Sequence, residues 1–331
     1  MKRSAARSSL WCFALVWTLV STIPSAYADE AITLDPSLKG YVKVSGVSGN
    51  VNSIGSDTLN NLMTLWAEGF RKQYPNVKIQ IEGKGSSTAP PALIEGTAQL
   101  GPMSRTMKNT EMDAFEKKFR YKPTAFPVAI DALAVYVNKD NPVTGLTMAQ
   151  VDAIFSKSRR GGHPENIQLW KQAGVLDEGL GNSPISIYGR NSASGTYGFF
   201  KEHALKNGDY KDEVKEQPGS ASVVQSVSED QAGIGYSGIG YLTSNVRAVP
   251  LAEKEGTPVK EASQQNADNG SYPLRRHLYL YVNKAPDKPL DPIVKEFIKF
   301  IYSKEGQQVA VKDGFFPLKA GVIEKELKNL D

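Results

Sequence analysis

Leu59, Leu62, Met63, Trp66, Phe70 and Tyr74 recur at the spacing that lines up apolar side chains on one face of an α-helix. Ser56-Asp57-Thr58 stands where the cap of that helix belongs, and Pro75 ends it. Val77, Ile79 and Ile81 then alternate with polar residues, as a half-buried strand does. A polar turn from Gly83 to Thr88 leads into a second short helix with Leu93 and Ile94. Leu100 opens a short strand that ends at Met103-Ser104-Arg105. Strand, polar loop and helix therefore repeat, which predicts an α/β fold with loops where strand C-termini meet helix N-termini. In open α/β sheets ligands bind there.

Two longer apolar runs interrupt this alternation. "PVAIDALAVYVNK", Pro127 to Lys139, and "HLYLYVNK", His277 to Lys284, read as long strands that end in the same tetrapeptide. A complete second α/β set lies between them, so they suit two connections between two lobes. Within that set, Thr147 and Gln150 form a capping box that starts a helix. A strand is predicted over Ile185 to Tyr188, a helix over Ala221 to Val227, and the Gly/Pro-rich stretch from Ser156 to Pro184 reads as a long loop. Ile293 to Tyr302 has the pattern of an amphipathic helix.

Composition changes this picture at one end only. The chain has 331 residues, 40% hydrophobic and 22% charged, which suits a folded protein with a substantial core. Lys2, Arg3 and Arg7, the apolar run Leu10 to Val20 and Ala26-Tyr27-Ala28 have the form of a secretory leader cut after Ala28. The net charge of +4 belongs mostly to that leader: without its three basic residues, 36 Lys and Arg face 35 Asp and Glu. Neither nucleic acid nor an anionic membrane is then an indicated partner. Cys12, the only cysteine, lies in the leader, so the mature chain is expected to rely on its core and not on disulfides.

Catalytic signatures are weak. Gly233 to Gly238 matches G-x-G-x-x-G, but that pattern signals a dinucleotide only with a following helix and an acidic residue beyond it; a glycine-rich strand and turn is the reading adopted. His163, His203 and His277 are far apart, and nothing promotes a zinc site or a nucleophile with its base. No cofactor is expected. What stands out is Ser56-Asp57-Thr58, Ser86-Ser87-Thr88 and Ser194-Gly195-Thr196, each at the start of a predicted helix, with Arg105 and Arg190 nearby in sequence. Any one of them reads as ordinary capping. Together they read as an anion site, because helix N-termini carry partial positive charge and free N–H groups.

From about Ser48 to Leu318 the chain resembles the substrate-binding proteins of the phosphate-specific ABC importer, the PstS family, in the class II periplasmic binding-protein fold. The resemblance rests on "GSDTLNNLMTLWAEGF", "GKGSSTAPPALIEGTAQLGPMSR", "GRNSASGTYGFF" and "GIGYSGIGY". The third is the most specific, because the family's anion loop, Arg-x-x-x-Ser-Gly-Thr, falls on Arg190, Ser194, Gly195 and Thr196. The resemblance implies further contacts from Asp57 and Thr58 in the first helix and Ser86 in the second loop. It departs at the third segment, where many members carry an aspartate and this chain has Ser104 followed by Arg105.

The expectation is therefore a two-lobe α/β protein with two hinge-strand crossovers: lobe one about 29–135 with 282–331, lobe two 136–281. Phosphate would sit between them on Asp57, Thr58, Ser86, Ser104, Arg105, Arg190, Ser194, Gly195 and Thr196. Asp57 reads either as a plain cap or as the carboxylate that accepts the phosphate proton, which sulfate lacks. Asp131, buried in an apolar strand, needs a partner, and Arg105 or Arg190 is the expected one. A monomeric periplasmic binder, not an enzyme, is expected, and the resemblance implies that it delivers phosphate to a membrane permease with a cytoplasmic ATPase. A binder of sulfate or molybdate, and a secreted phosphatase-like protein on the same cradle, are the alternatives.

Overall fold

The computed structural model describes residues 31–286 and 288–330; the expected leader, with Cys12, lies outside them. β1 (Gly49–Ile54) runs into a single 3-10 turn, Asp57–Leu59, that opens α1 (Asn60–Gln73). The apolar stripe is buried as its spacing predicts, with Leu62, Met63, Trp66 and Phe70 inward and Arg71 and Lys72 at the C-terminal end, where cations suit the helix dipole. β2 (Val77–Glu82) pairs parallel with β1. A second 3-10 turn, Ser86–Thr88, opens α2 (Ala89–Glu95), and β3 (Gly101–Met103) and α3 (Asn109–Phe119) follow.

β4 (Thr124–Asn138) organises the rest. Every residue from Val128 to Asn138 is buried, which explains why the segment reads as one continuous apolar run. After it come the two-residue strand β5 (Leu146–Thr147) and α4 (Met148–Phe155), where Thr147 and Gln150 close the expected capping box. The stretch Ser156 to Pro184 is irregular but not bare. It carries a 3-10 turn, Trp170–Ala173, and one helical turn, α5 (Glu178–Gly181), both anchored by the fully buried Trp170. Elements of four residues are too short to leave a periodic signature, so the composition alone reads as loop.

β6 (Ser186–Arg190), α6 (Gly195–His203), β7 (Lys215–Gln217), α7 (Ser220–Ser228) and β8 (Gly233–Gly238) complete the second α/β set. The G-x-G-x-x-G run is β8 itself, and a 3-10 turn follows it, as the strand reading expects. The short strands β9 (Val246–Ala248) and β10 (Leu251–Ala252) and the helix α8 (Gln264–Asp268) lead to β11 (Arg275–Val282). Three helices end the chain: α9 (Pro292–Ile301), α10 (Lys304–Lys312) and α11 (Ala320–Leu327).

The main sheet has the order β3-β11-β4-β8-β6-β7, with β9 also on β4. The first part of β4, up to Ala132, pairs with β11; from Leu133 onward it pairs with β8 and β9. One strand thus serves both halves of the molecule. β11 starts opposite Ala132, where β4 changes partners, and runs antiparallel back beside β3. The two Tyr-Val-Asn-Lys copies consequently end at opposite places: Tyr136 pairs with Gly235, Tyr281 with Ala125 and Gly101.

The turn after α10 packs on the segment after β8: a Cβ at Gly240 would lie 2.6 Å from the Asp313 carbonyl oxygen. Burial pushes the Asp313 carboxyl up to about 6, against the hydrogen bond it accepts from the Asn61 amide. The folded state therefore holds this proton more tightly than the unfolded chain does. Stability falls as pH rises from about 4 to 6 on this account and stays lower above that. Asp313→Asn should raise the melting temperature at pH 7 to 8 and leave it nearly unchanged at pH 4, read by thermal melts at both.

Candidate functional site

The three hydroxyl-rich helix openings predicted from the sequence converge. Thr58 Oγ1 lies 2.9 Å from Thr196 Oγ1. Ser86 Oγ accepts from the Ser104 backbone N–H at 3.0 Å and lies 3.3 Å from its hydroxyl. A Cβ placed on Gly195 would stand 2.2 Å from Ser86 Oγ and 2.6 Å from Ser104 Oγ, so the start of α6 is pressed directly onto both serines. The loops before them interlock as well. Gly85 has φ +116, and a Cβ there would meet the Ala193 carbonyl oxygen at 2.5 Å, while Ser87 N–H donates to that oxygen at 3.1 Å. Thr58, Ser86, Ser104, Arg105, Arg190, Ser194 and Thr196 are all buried.

Capping accounts for only part of this. Ser194 does cap α6, accepting from Thr196 N at 3.1 Å and Tyr197 N at 3.3 Å, which leaves its hydroxyl proton to donate elsewhere. Ser56 makes no side-chain cap bond. Asp57 is not a plain cap either: its Oδ2 accepts from Ser220 N at 2.8 Å and Ser220 Oγ at 2.9 Å, on α7, and meets Arg190 Nη2 at 3.1 Å.

Three arginines surround the cluster, each with a carboxylate. Arg190 pairs with Asp57 and also donates to Ser220 Oγ at 2.6 Å and the Pro218 carbonyl at 3.3 Å. Its side chain is 2% exposed and its Nε has no hydrogen-bond partner, a buried donor still without an acceptor. Burial lowers its pKa, with the Asp57 carboxylate pulling the other way; a guanidinium starts high enough to stay charged. Arg105 makes a two-pronged pair with Glu111, both bonds 2.7 Å, and its Nη2 donates to Ser87 Oγ at 3.2 Å. Its fork is thereby turned to Glu111.

Asp131 is not the partner of Arg105 or Arg190, as expected from the sequence. It is paired with Arg276, its cross-strand neighbour on β11. Arg276 Nε donates to Asp131 Oδ2 at 2.8 Å, and Ile239 N–H donates to Oδ1 at 2.9 Å. The physical reason is register: Arg276 stands directly opposite Asp131, whereas the other two cations are taken by Glu111 and Asp57.

Sequence reasoning missed Arg276, Ser220, Glu111 and Tyr241, whose hydroxyl donates to the carbonyls of Asp57 and Thr58 at 3.1 and 3.2 Å. Arg276 had a signal. A buried aspartate in one long strand calls for a cation in the strand beside it, and Arg275-Arg276 directly precede "HLYLYVNK". Glu111 is also visible in hindsight, three residues after Lys108, whose N–H it accepts at 2.8 Å. Ser220 and Tyr241 have no such mark.

The arrangement can bind an anion. It offers hydroxyls, backbone N–H groups at a helix start and buried guanidinium groups. Among the described residues no group of His, Cys, Asp or Glu is placed to hold a metal ion, and no helix is long and apolar enough to cross a membrane.

A family model described as a PBP superfamily domain matches residues 43–305. The phosphate-binding protein PstS of Pseudomonas aeruginosa is 60% identical over 303 residues, covering 92% of this chain and 94% of that protein. Among solved structures, a candidate substrate-binding protein of a phosphate ABC transporter from Clostridium perfringens, with bound phosphate, superposes with a TM-score of 0.69 at 27% identity, covering 82% of this chain and all of that one. An ABC-type phosphate transport receptor from Vibrio cholerae, at 23% identity, shares the fold with a TM-score of 0.62 over 81% of this chain and all of that one.

Proposed function

The chain belongs to the PBP superfamily and, within it, to the PstS phosphate-binding proteins, and from that premise we propose how its donor cluster holds phosphate for uptake by an ABC transporter. The observation that carries the proposal is the meeting of Thr58, Ser86 and Ser104 with Ser194, Gly195 and Thr196 in one buried place, supplied from both sides of the point where β4 changes partners. Hydroxyls and the first N–H groups of α6 surround the anion, and Gly195 lets the backbone approach it. Arg190 brings charge through a buried guanidinium with a donor to spare. Arg105, held by Glu111, steadies Ser87 and the loop behind the serines. Asp131 acts through an arginine and does not touch phosphate.

The proposed lobes are about 29–135 with 282–331, and 136–281, except that β11 pairs over its whole length with residues Thr124 to Ala132, so Arg275 to Val282 go with lobe one. Closing them buries the anion. The protein is a binder and not a catalyst, in keeping with the phosphate-binding proteins it resembles. It works in the periplasm as a monomer, after cleavage behind Ala28, and hands phosphate to a permease driven by a cytoplasmic ATPase.

Calorimetric titration of ligand-stripped protein with phosphate, arsenate and sulfate tests this. Phosphate should bind tightly and sulfate weakly; tight sulfate binding that phosphate does not displace would sink the proposal. Asp57 is the proposed acceptor of the phosphate proton. Asp57→Asn should weaken phosphate about tenfold, the scale of one hydrogen bond to a charged group, and narrow the gap to sulfate. Unchanged affinity and selectivity would leave Asp57 only its bonds to Arg190 and Ser220.

A further inference from the structure

Arg276 is a buried cation that the sequence reading did not assign, and its side chain joins more parts of the molecule than charge balance with Asp131 requires. It sits on β11 opposite Asp131, one residue before β4 changes partners. Nε and Nη2 both reach Asp131 Oδ2, at 2.8 and 2.7 Å. Nη1 donates to the Ser104 carbonyl at 2.9 Å, and Nη2 donates to Thr196 Oγ1 at 3.1 Å. The guanidinium also lies over the Phe199 ring, 5.3 Å from its centre. One planar group therefore touches the segment carrying Ser104, the hinge strand, and two residues of α6. Thr196, at its far end, bonds Thr58 in turn.

Accepting that this cluster is the phosphate site, we infer that Arg276 is a positioning residue for phosphate: anchored at the hinge by Asp131, it holds Thr196 against Ser104 at the spacing the bound anion needs. Asp131 fixes the guanidinium before the lobes meet. The bond to Thr196 exists only when α6 has come up to it. Arg276 consequently acts on release of phosphate and hardly on its entry. An arginine is needed because a lysine at this position can meet Asp131 but cannot also span Ser104 and Thr196 with one rigid fork.

The test is Arg276→Lys, which leaves a cation beside Asp131 and removes the fork. Binding and release of radiolabelled phosphate, chased with unlabelled phosphate, are measured for wild type, Arg276→Lys, Thr196→Val and the double variant. Arg276→Lys should bind at the wild-type association rate and release phosphate about thirtyfold faster, as expected when a buried charged hydrogen bond is lost. In the Thr196→Val background it should add little. Release at the wild-type rate, or the same acceleration in both backgrounds, would overturn the inference while tight wild-type binding leaves the phosphate reading intact. A wild-type protein that takes up no phosphate would overturn both. If Arg276→Lys does not fold, Arg276→Gln combined with Asp131→Asn removes both buried charges together; it should also release phosphate faster, and a wild-type rate would again overturn the role.

Discussion

Gly195→Ala should remove tight phosphate binding and leave the ligand-free protein folded. The added Cβ would lie 2.2 Å from Ser86 Oγ, 2.7 Å from Ser86 Cβ and 2.6 Å from Ser104 Oγ. None of these atoms is on α6, so the overlap arises only where α6 meets the other loops. Within α6 itself alanine is the better helix former than glycine. The variant thus has reason to be as stable as wild type with its loops apart, and no way to bring them to their present spacing. Overpacking of this kind costs about 1–3 kcal/mol, and a contact this short falls at the upper end, so affinity should drop about a hundredfold. Calorimetry with phosphate and a thermal melt without it check the two halves of the expectation. Affinity near wild type would mean that Ser86 and Gly195 do not close on the same anion.

What local spacing reveals in this chain and what it hides divide along a physical line. α1 and β4 were legible because each buries a long, regular set of apolar residues that local spacing reveals. The three hydroxyl-rich openings were legible for a related reason: helix starts have a chemistry of their own. Pairing across the sheet is not local. Asp131 announced that it needed a cation, but which one depended on the register of β11 against β4, and the nearest candidates by motif, Arg105 and Arg190, were already taken by Glu111 and Asp57. Ser220 escaped for the same reason. It opens α7 like any serine at a helix start, and only the fold turns its N–H and hydroxyl toward Asp57. Phe199 and Phe200 are neighbours in sequence with separate partners: Phe200 stacks on Tyr236 with ring centres 4.0 Å apart, whereas Phe199 lies under the Arg276 guanidinium.

Replacing Arg190 should have the largest effect of all. Arg190→Met keeps much of the volume and apolar stem but removes every bond the guanidinium makes, to Ser220 Oγ, the Pro218 carbonyl and Asp57. Asp57 then keeps only the two donors of Ser220. Losing one partner of a buried pair costs about 3–5 kcal/mol, but Asp57 is 25% exposed, so water relieves part of the loss and the fold should survive. Phosphate has no such relief. The variant would present a buried anion site without its main countercharge and with Asp57 unpaired nearby, and affinity should fall about a thousandfold. Arg190→Lys separates charge from geometry: a single ammonium cannot bond Ser220, Pro218 and Asp57 in the plane the guanidinium fills, so it should recover only part of the affinity. The same loss should appear in thermal melts, since excess phosphate raises the melting temperature of wild type by mass action and should do almost nothing for Arg190→Met. Phosphate binding by Arg190→Met within a few-fold of wild type would place the anion away from Arg190 and require a different site.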